Sequence, residues 1–161
     1  MSKLRFIRSI SSYYSTSLII YSALISLLLT IGYLVTPVLF ASLSAKLAGF
    51  IAGLLFNISG YLLLLFLLLL LAWRMSVRRV AISIWFDAIS LFLMTGLLWV
   101  VSPWMTEIKA KYPQGIEKNA VDWPLFASLH GVYQVGYLIV IIMLIVAMFK
   151  TVKCIKSTQA K

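Results

Sequence analysis

This 161-residue sequence predicts an all-α fold, an integral membrane protein with four transmembrane helices in an antiparallel bundle, and three observations lead there. Four apolar stretches, each long enough to cross a bilayer, take up most of the chain. Hydrophobic residues make up 63% of it and charged residues 11%, more Leu and Ile than one water-soluble core of this size can hide. The 14 Lys and Arg gather at alternate connections between the stretches, the pattern of a chain threaded back and forth through lipid.

In order, the stretches cover residues 18–38, 48–73, 80–101 and 125–149. Each meets the roughly 20 residues needed to cross about 30 Å of hydrocarbon at about 1.5 Å per residue. Lipid offers the backbone no water, so each stretch must satisfy its N–H and C=O groups internally as a helix; the alternating pattern of a barrel strand is absent. Lys3, Arg5 and Arg8 ahead of the first stretch resemble the start of a signal peptide, but the apolar run exceeds a signal core. A retained first helix is therefore expected. Pro37, after Thr36, is expected to kink or end that helix.

The link over 74–79 leaves room for a tight turn alone, which makes the second and third spans antiparallel neighbours. The connection over 102–124 is the sizeable extramembrane piece. Pro103, Pro113, Gly115 and Pro124 break it, with a short interfacial helix expected over 104–112. No linker divides the chain, so residues 1–161 form a single domain, and no internal repeat suggests an inverted-repeat transporter core.

Ten cationic residues flank the N-terminus, the 74–79 link and the C-terminus, against Lys46, Lys109, Lys111 and Lys118 on the opposite side. Glu107, Glu117 and Asp122 further offset the last three. The positive-inside rule then places both termini in the cytoplasm of a multi-pass protein of the cell membrane, with a bacterial inner membrane expected. Tyr13, Tyr14 and Trp73 on one side and Trp99, Trp104 and Trp123 on the other stand where aromatic anchors belong.

The net charge of +10 does not point to nucleic acid, because the cations lie in short runs with no continuous basic face. Cys154 is the sole cysteine, which excludes an internal disulfide and a thiolate cluster within one chain; it reads as an inert small hydrophobe.

Asp87 is the most informative polar residue. It lies about seven residues inside the third span, where a charged carboxylate costs about 2.5–3.5 kcal/mol. Ser83 and Ser90 share its helix face, forming a polar stripe expected to point into the bundle. One reading is a proton or cation site; the other is a packing residue, neutral or paired with Arg74, Arg78 or Arg79. On the opposite side His130, with Tyr133, Gln134 and Tyr137 at helical spacing, and Asn57 at comparable depth are candidates to line a polar cavity. Gly49 and Gly53, flanked by Ala48 and Ala52, give a GxxxG spacing that lets helices approach closely, within the chain or between copies. No Ser-His-Asp set, paired carboxylates or phosphate-binding loop exists, so no enzymatic activity is expected. No metal site and no cofactor are expected; haem through His130 with a methionine, or shared across a dimer, is the remote alternative.

Several segments together resemble the family called domain of unknown function 4149, which includes relatives of transmembrane protein 205. They are Thr36-Pro37-Val38-Leu39-Phe40, Ala48-Gly49-Phe50-Ile51-Ala52-Gly53-Leu54-Leu55-Phe56, Ser102-Pro103-Trp104-Met105 and Phe126-Ala127-Ser128-Leu129-His130-Gly131. The resemblance runs from about residue 20 to 148 and implies a four-helix membrane fold, with no activity or catalytic set to carry over. The expected role is association in the bilayer, as a homo-oligomer or within a larger membrane complex. The alternatives are transport of a proton, ion or small solute using Asp87 and His130, and haem or copper handling.

Overall fold

The computed structural model describes residues 3–76 and 84–159, all-helical apart from short connections, with no strand among the described residues. The order is α1 (Lys3–Leu29), a π-helical segment (Thr30–Val35), α2 (Thr36–Ser42), α3 (Ala45–Ser76), α4 (Ile84–Gly96), a second π-helical segment (Leu97–Val101), α5 (Ser102–Ala110) and α6 (Trp123–Gln159). The elements join into four rods long and apolar enough to cross a membrane: Ser12–Ser42, Ala45–Ser76, Ile84–Ala110 and Trp123–Ser157. Three of them outrun the sequence-based ranges at both ends and the third rod at its loop end, because the helices continue past their apolar residues; residues 80–83 of the third lie outside those described. Only 28–33% of the most apolar window of each rod is buried in the bundle. Side chains such as Ile19, Phe50, Leu68 and Phe92 clothe the outside. Such a surface needs hydrocarbon as its solvent, and the chain is a multi-pass membrane protein.

Pro37 neither ends nor breaks the first rod. A proline removes one N–H and crowds the carbonyl four residues back. Here the preceding turn widens to π register, and the Thr36 N–H bonds the Ile31 carbonyl, five residues back. The Thr36 hydroxyl donates to that same carbonyl at 2.7 Å. The third rod repeats the device: Leu97–Val101 is π-helical, Ser102 N–H bonds Leu97 O, and Pro103 follows. The segment over 104–112 is consequently no separate interfacial helix. Its helical part is α5, the continuation of the third span.

Ser102-Pro103 stands 66 residues after Thr36-Pro37, the interval that also separates Tyr21 from Asp87. The first and third rods thus each carry a π-helical segment followed by a hydroxyl residue and a proline.

α6 packs along both α1 and α4, and α3 packs against α1 and α4. Tyr21, Leu28, Leu63, Leu67, Met94, Val140 and Leu144 fill the centre with no exposed surface. Three glycines permit the tightest approaches. A Cβ on Gly60 would lie 3.0 Å from Leu98, one on Gly136 3.0 Å from Leu97, and one on Gly32 3.1 Å from Tyr137. On the loop side, Lys111 pairs with Asp122 at 3.4 Å and Tyr112 donates to the same carboxylate at 3.3 Å. Gly115 takes φ +106°, which a side chain resists, to close the turn back to Tyr112.

Candidate functional site

The end of the bundle that carries Arg74 and the C-terminal lysines, here the basic end, holds a buried polar cluster. On α1, Tyr13, Ser17 and Tyr21 recur every four residues and so share one face, and all three are fully buried. Tyr21 Oη donates to Asp87 Oδ1 at 2.8 Å across from α1 to α4, and Asp87 is 1% exposed. The neighbouring hydroxyls turn back on their own helices: Ser17 to Tyr13 O at 2.7 Å, Ser90 to Phe86 O at 2.8 Å and Thr151 to Ala147 O at 2.8 Å. The Tyr21–Asp87 bond accordingly joins helices where the others do not. Lys150 stands over the Phe86 ring at 5.0 Å.

Trp73, next to Arg74 in the chain, meets the Tyr13 ring edge-on with centroids 5.5 Å apart. Arg74 lies within electrostatic reach of Tyr13, Tyr21 and Asp87. Among the described residues it forms no ion pair with Asp87. The magnitudes explain why the carboxyl is held this way. A hydrogen bond to a charged group contributes about 1.5–3 kcal/mol, close to the roughly 2.5–3.5 kcal/mol that a carboxylate costs at the centre of a span. One tyrosine therefore satisfies one oxygen of the buried carboxyl, and the second oxygen has no hydrogen-bond partner.

Of the stripe expected around Asp87, Ser90 is fully buried beside it, while Ser83, Arg78 and Arg79 lie outside the described residues. Tyr13 and Tyr14, expected as interfacial anchors, are buried against Trp73 and the end of α6. Sequence reasoning passed over Tyr21 altogether. The signal available was the Tyr13-Ser17-Tyr21 spacing, a polar stripe of the same kind as that recognised around Asp87.

The loop end is arranged differently. Asn57 on α3 is half-buried and accepts from Ser102 Oγ at 3.2 Å, tying α3 to the start of α5 beside Pro103. His130 and Gln134 are exposed and bond each other at 3.1 Å, one turn apart on α6. Phe126 stacks on His130 with ring centroids 6.1 Å apart, and Lys109 stands 5.7 Å from the Phe126 ring centroid. Tyr133 and Tyr137 face inward instead, packed edge-on against Phe56, and Tyr137 donates to Leu28 O at 3.0 Å. The candidates for a shared polar cavity are thus divided: Asn57 bonds Ser102, whereas His130 and Gln134 lie on the outside. A Cβ on Gly49 would lie an ordinary 3.8 Å from Phe40 and one on Gly53 would meet nothing within 4 Å, so neither glycine is required for a close approach inside the chain. Among the described residues no three His, Cys, Asp or Glu gather as a metal shell would require.

The matched positions in the first and third rods, with Asn57 between them, fall within one segment that a family model recognises. The model, described as Domain of unknown function (DUF4149), matches residues 19–114. The chain belongs to this family. The DUF4149 segment includes Tyr21, both π-proline units, Asn57, Arg74 and Asp87, and it ends before Phe126, His130 and Gln134. No curated protein and no solved structure matches the chain.

Proposed function

We propose that this DUF4149 protein is a non-enzymatic helical bundle that works by association within the membrane, with a second copy or a larger membrane complex. The observation that carries the reading is the His130–Gln134 pair, two polar side chains on the outside of a membrane-length helix. Their mutual bond leaves further donors and acceptors unmet, and in hydrocarbon such groups are stabilised by a polar partner. Gly53, open on the surface of α3, offers another helix room for close approach. A transport role through Asp87 and His130 draws less support, because Asp87 is sealed against Tyr21 while His130 lies outside the bundle.

Replacing His130 or Gly53 with a photoreactive residue tests the reading in native membranes. Adducts of defined mass, together with an oligomer or stable complex by native mass spectrometry in mild detergent, are expected; a strict monomer without adducts overturns it. The excess of basic residues beside the N-terminus, the second span and the C-terminus supports placing both termini on the cytoplasmic face of a cell membrane, as in a bacterial inner membrane. Reporter fusions to both ends check this: both active on the cytoplasmic side is the expected outcome, and opposite sides contradict it.

A further inference from the structure

A groove runs along the outside of the bundle between α1 and α3, with Ile19, Ile20, Ala23 and Leu27 on one wall and Leu62 and Phe66 on the other. It offers about 280 Å³ and its walls are wholly apolar. Ile19 stands at the rim, 68% exposed, and Ala23, the small residue of the lining, leaves the space behind it.

The groove has a direction. Along α1, Leu27, Ala23, Ile19, Thr16 and Ser12 follow one another at three- and four-residue steps and so share a face. That face turns from apolar to hydroxyl as it nears the basic end, and the same steps carry it on through Ser9 to Arg5 in the sequence. On α3, Trp73 follows Phe66 two turns later on the same face, and its ring contact with Tyr13 sets it level with Ser12 and Thr16.

Lengths decide what fits. At about 1.5 Å per residue, Thr16 to Leu27 covers about 16 Å, close to one leaflet's half of about 30 Å of hydrocarbon. Ser12 to Thr16 covers about 6 Å, the depth of one interfacial layer. A second helix, about 10–12 Å across with its side chains, is too broad for a groove of about 280 Å³, whereas a single hydrocarbon chain is not. The order apolar, hydroxyl, cationic is that of tail, ester and phosphate in a phospholipid, and the excess of Lys and Arg at this end selects an anionic headgroup.

We propose that the groove between α1 and α3 holds an acyl chain of one anionic phospholipid, with the lipid's ester region at Ser12 and Thr16 and its phosphate toward the cations of the basic end. The inference does not rest on the proposed association, whose residues His130 and Gly53 lie toward the loop end.

The full chain, stripped of lipid in mild detergent and titrated with phosphatidylglycerol or phosphatidylcholine of identical chains, is read by native mass spectrometry. One phosphatidylglycerol is expected to be retained about fivefold more tightly than phosphatidylcholine, the factor that one basic residue near a charged surface supplies. Ala23→Phe fills the groove from an exposed position and is expected to remove the retained lipid, while Val135→Phe, at an exposed position on α6, leaves it in place. Ile19→Trp, at the rim, carries the test if Ala23→Phe does not fold. Equal retention of the two lipids, undiminished retention by the filled groove, or loss from Val135→Phe as well overturns the inference.

Discussion

The two ends of the bundle place polar side chains in membrane-length helices by opposite means. At the basic end, Tyr21 and Asp87 lie 66 residues apart in sequence, meet across two helices and are sealed from the surroundings. At the loop end, His130 and Gln134 are one turn apart on a single helix and remain exposed. The first arrangement joins two helices; the second bonds two residues of one helix and leaves them on the outside. What separates them is the helix face on which each residue falls.

Tyr21→Phe offers the strongest challenge to this contrast. Removing the donor leaves both oxygens of a buried carboxyl short of a protein partner, and a loss of about 1–3 kcal/mol in stability is expected from reversible unfolding in mixed micelles. If His130→Ala costs as much, the two ends do not differ as described.

Close helix contact sharpens the comparison by steric means. Gly60→Val and Gly136→Val force a side chain into Leu98 and Leu97, with an expected cost of about 1–3 kcal/mol each, whereas Gly53→Val enters open space and leaves the unfolding midpoint nearly unchanged. Equal destabilisation at Gly53 would place a neighbour on that surface in the isolated chain.

Ser102→Ala removes the Asn57–Ser102 bond, and interhelical bonds of this kind average about 0.6 kcal/mol. A measurable but small drop in the same unfolding assay is the expected result. His130→Ala ranks last, within about 0.5 kcal/mol of the native chain, while cross-linking to a partner through Gln134 weakens. Full retention of that cross-link would remove His130 from the contact surface.

Much of the architecture was readable because lipid imposes a coarse rule: a long apolar run must be helix. The four spans follow from it, and so does the burial of Asp87, a group too costly to face hydrocarbon. The response to Pro37 was not readable. Ending the helix and widening it to π register both accommodate the missing N–H, and the third rod also widens before Pro103 although the Ser102 hydroxyl bonds Asn57 and not a carbonyl of its own helix. The facing of His130 was not readable either, since Tyr133 and Tyr137 follow it at helical spacing and yet turn inward. A helix rotation of well under half a turn divides those faces, and it is set by the packing of α6 on α1 and α4. Gly49 and Gly53 matched a packing motif, whereas the intimate contacts formed at Gly32, Gly60 and Gly136, where the large partners Tyr137, Leu98 and Leu97 stand opposite. Motif spacing carries no information about the residue across the interface.

Thiol accessibility at Ser90 tests the sealed basic end most directly. Ser90 is fully buried one turn from Asp87, so Ser90→Cys, in a Cys154→Ser background, reports on that spot without touching the carboxyl. In liposomes treated on both faces with a charged, water-soluble thiol reagent, the account predicts no modification until the protein is unfolded. Prompt labelling of the folded protein would place Asp87 beside a hydrated pathway and contradict it.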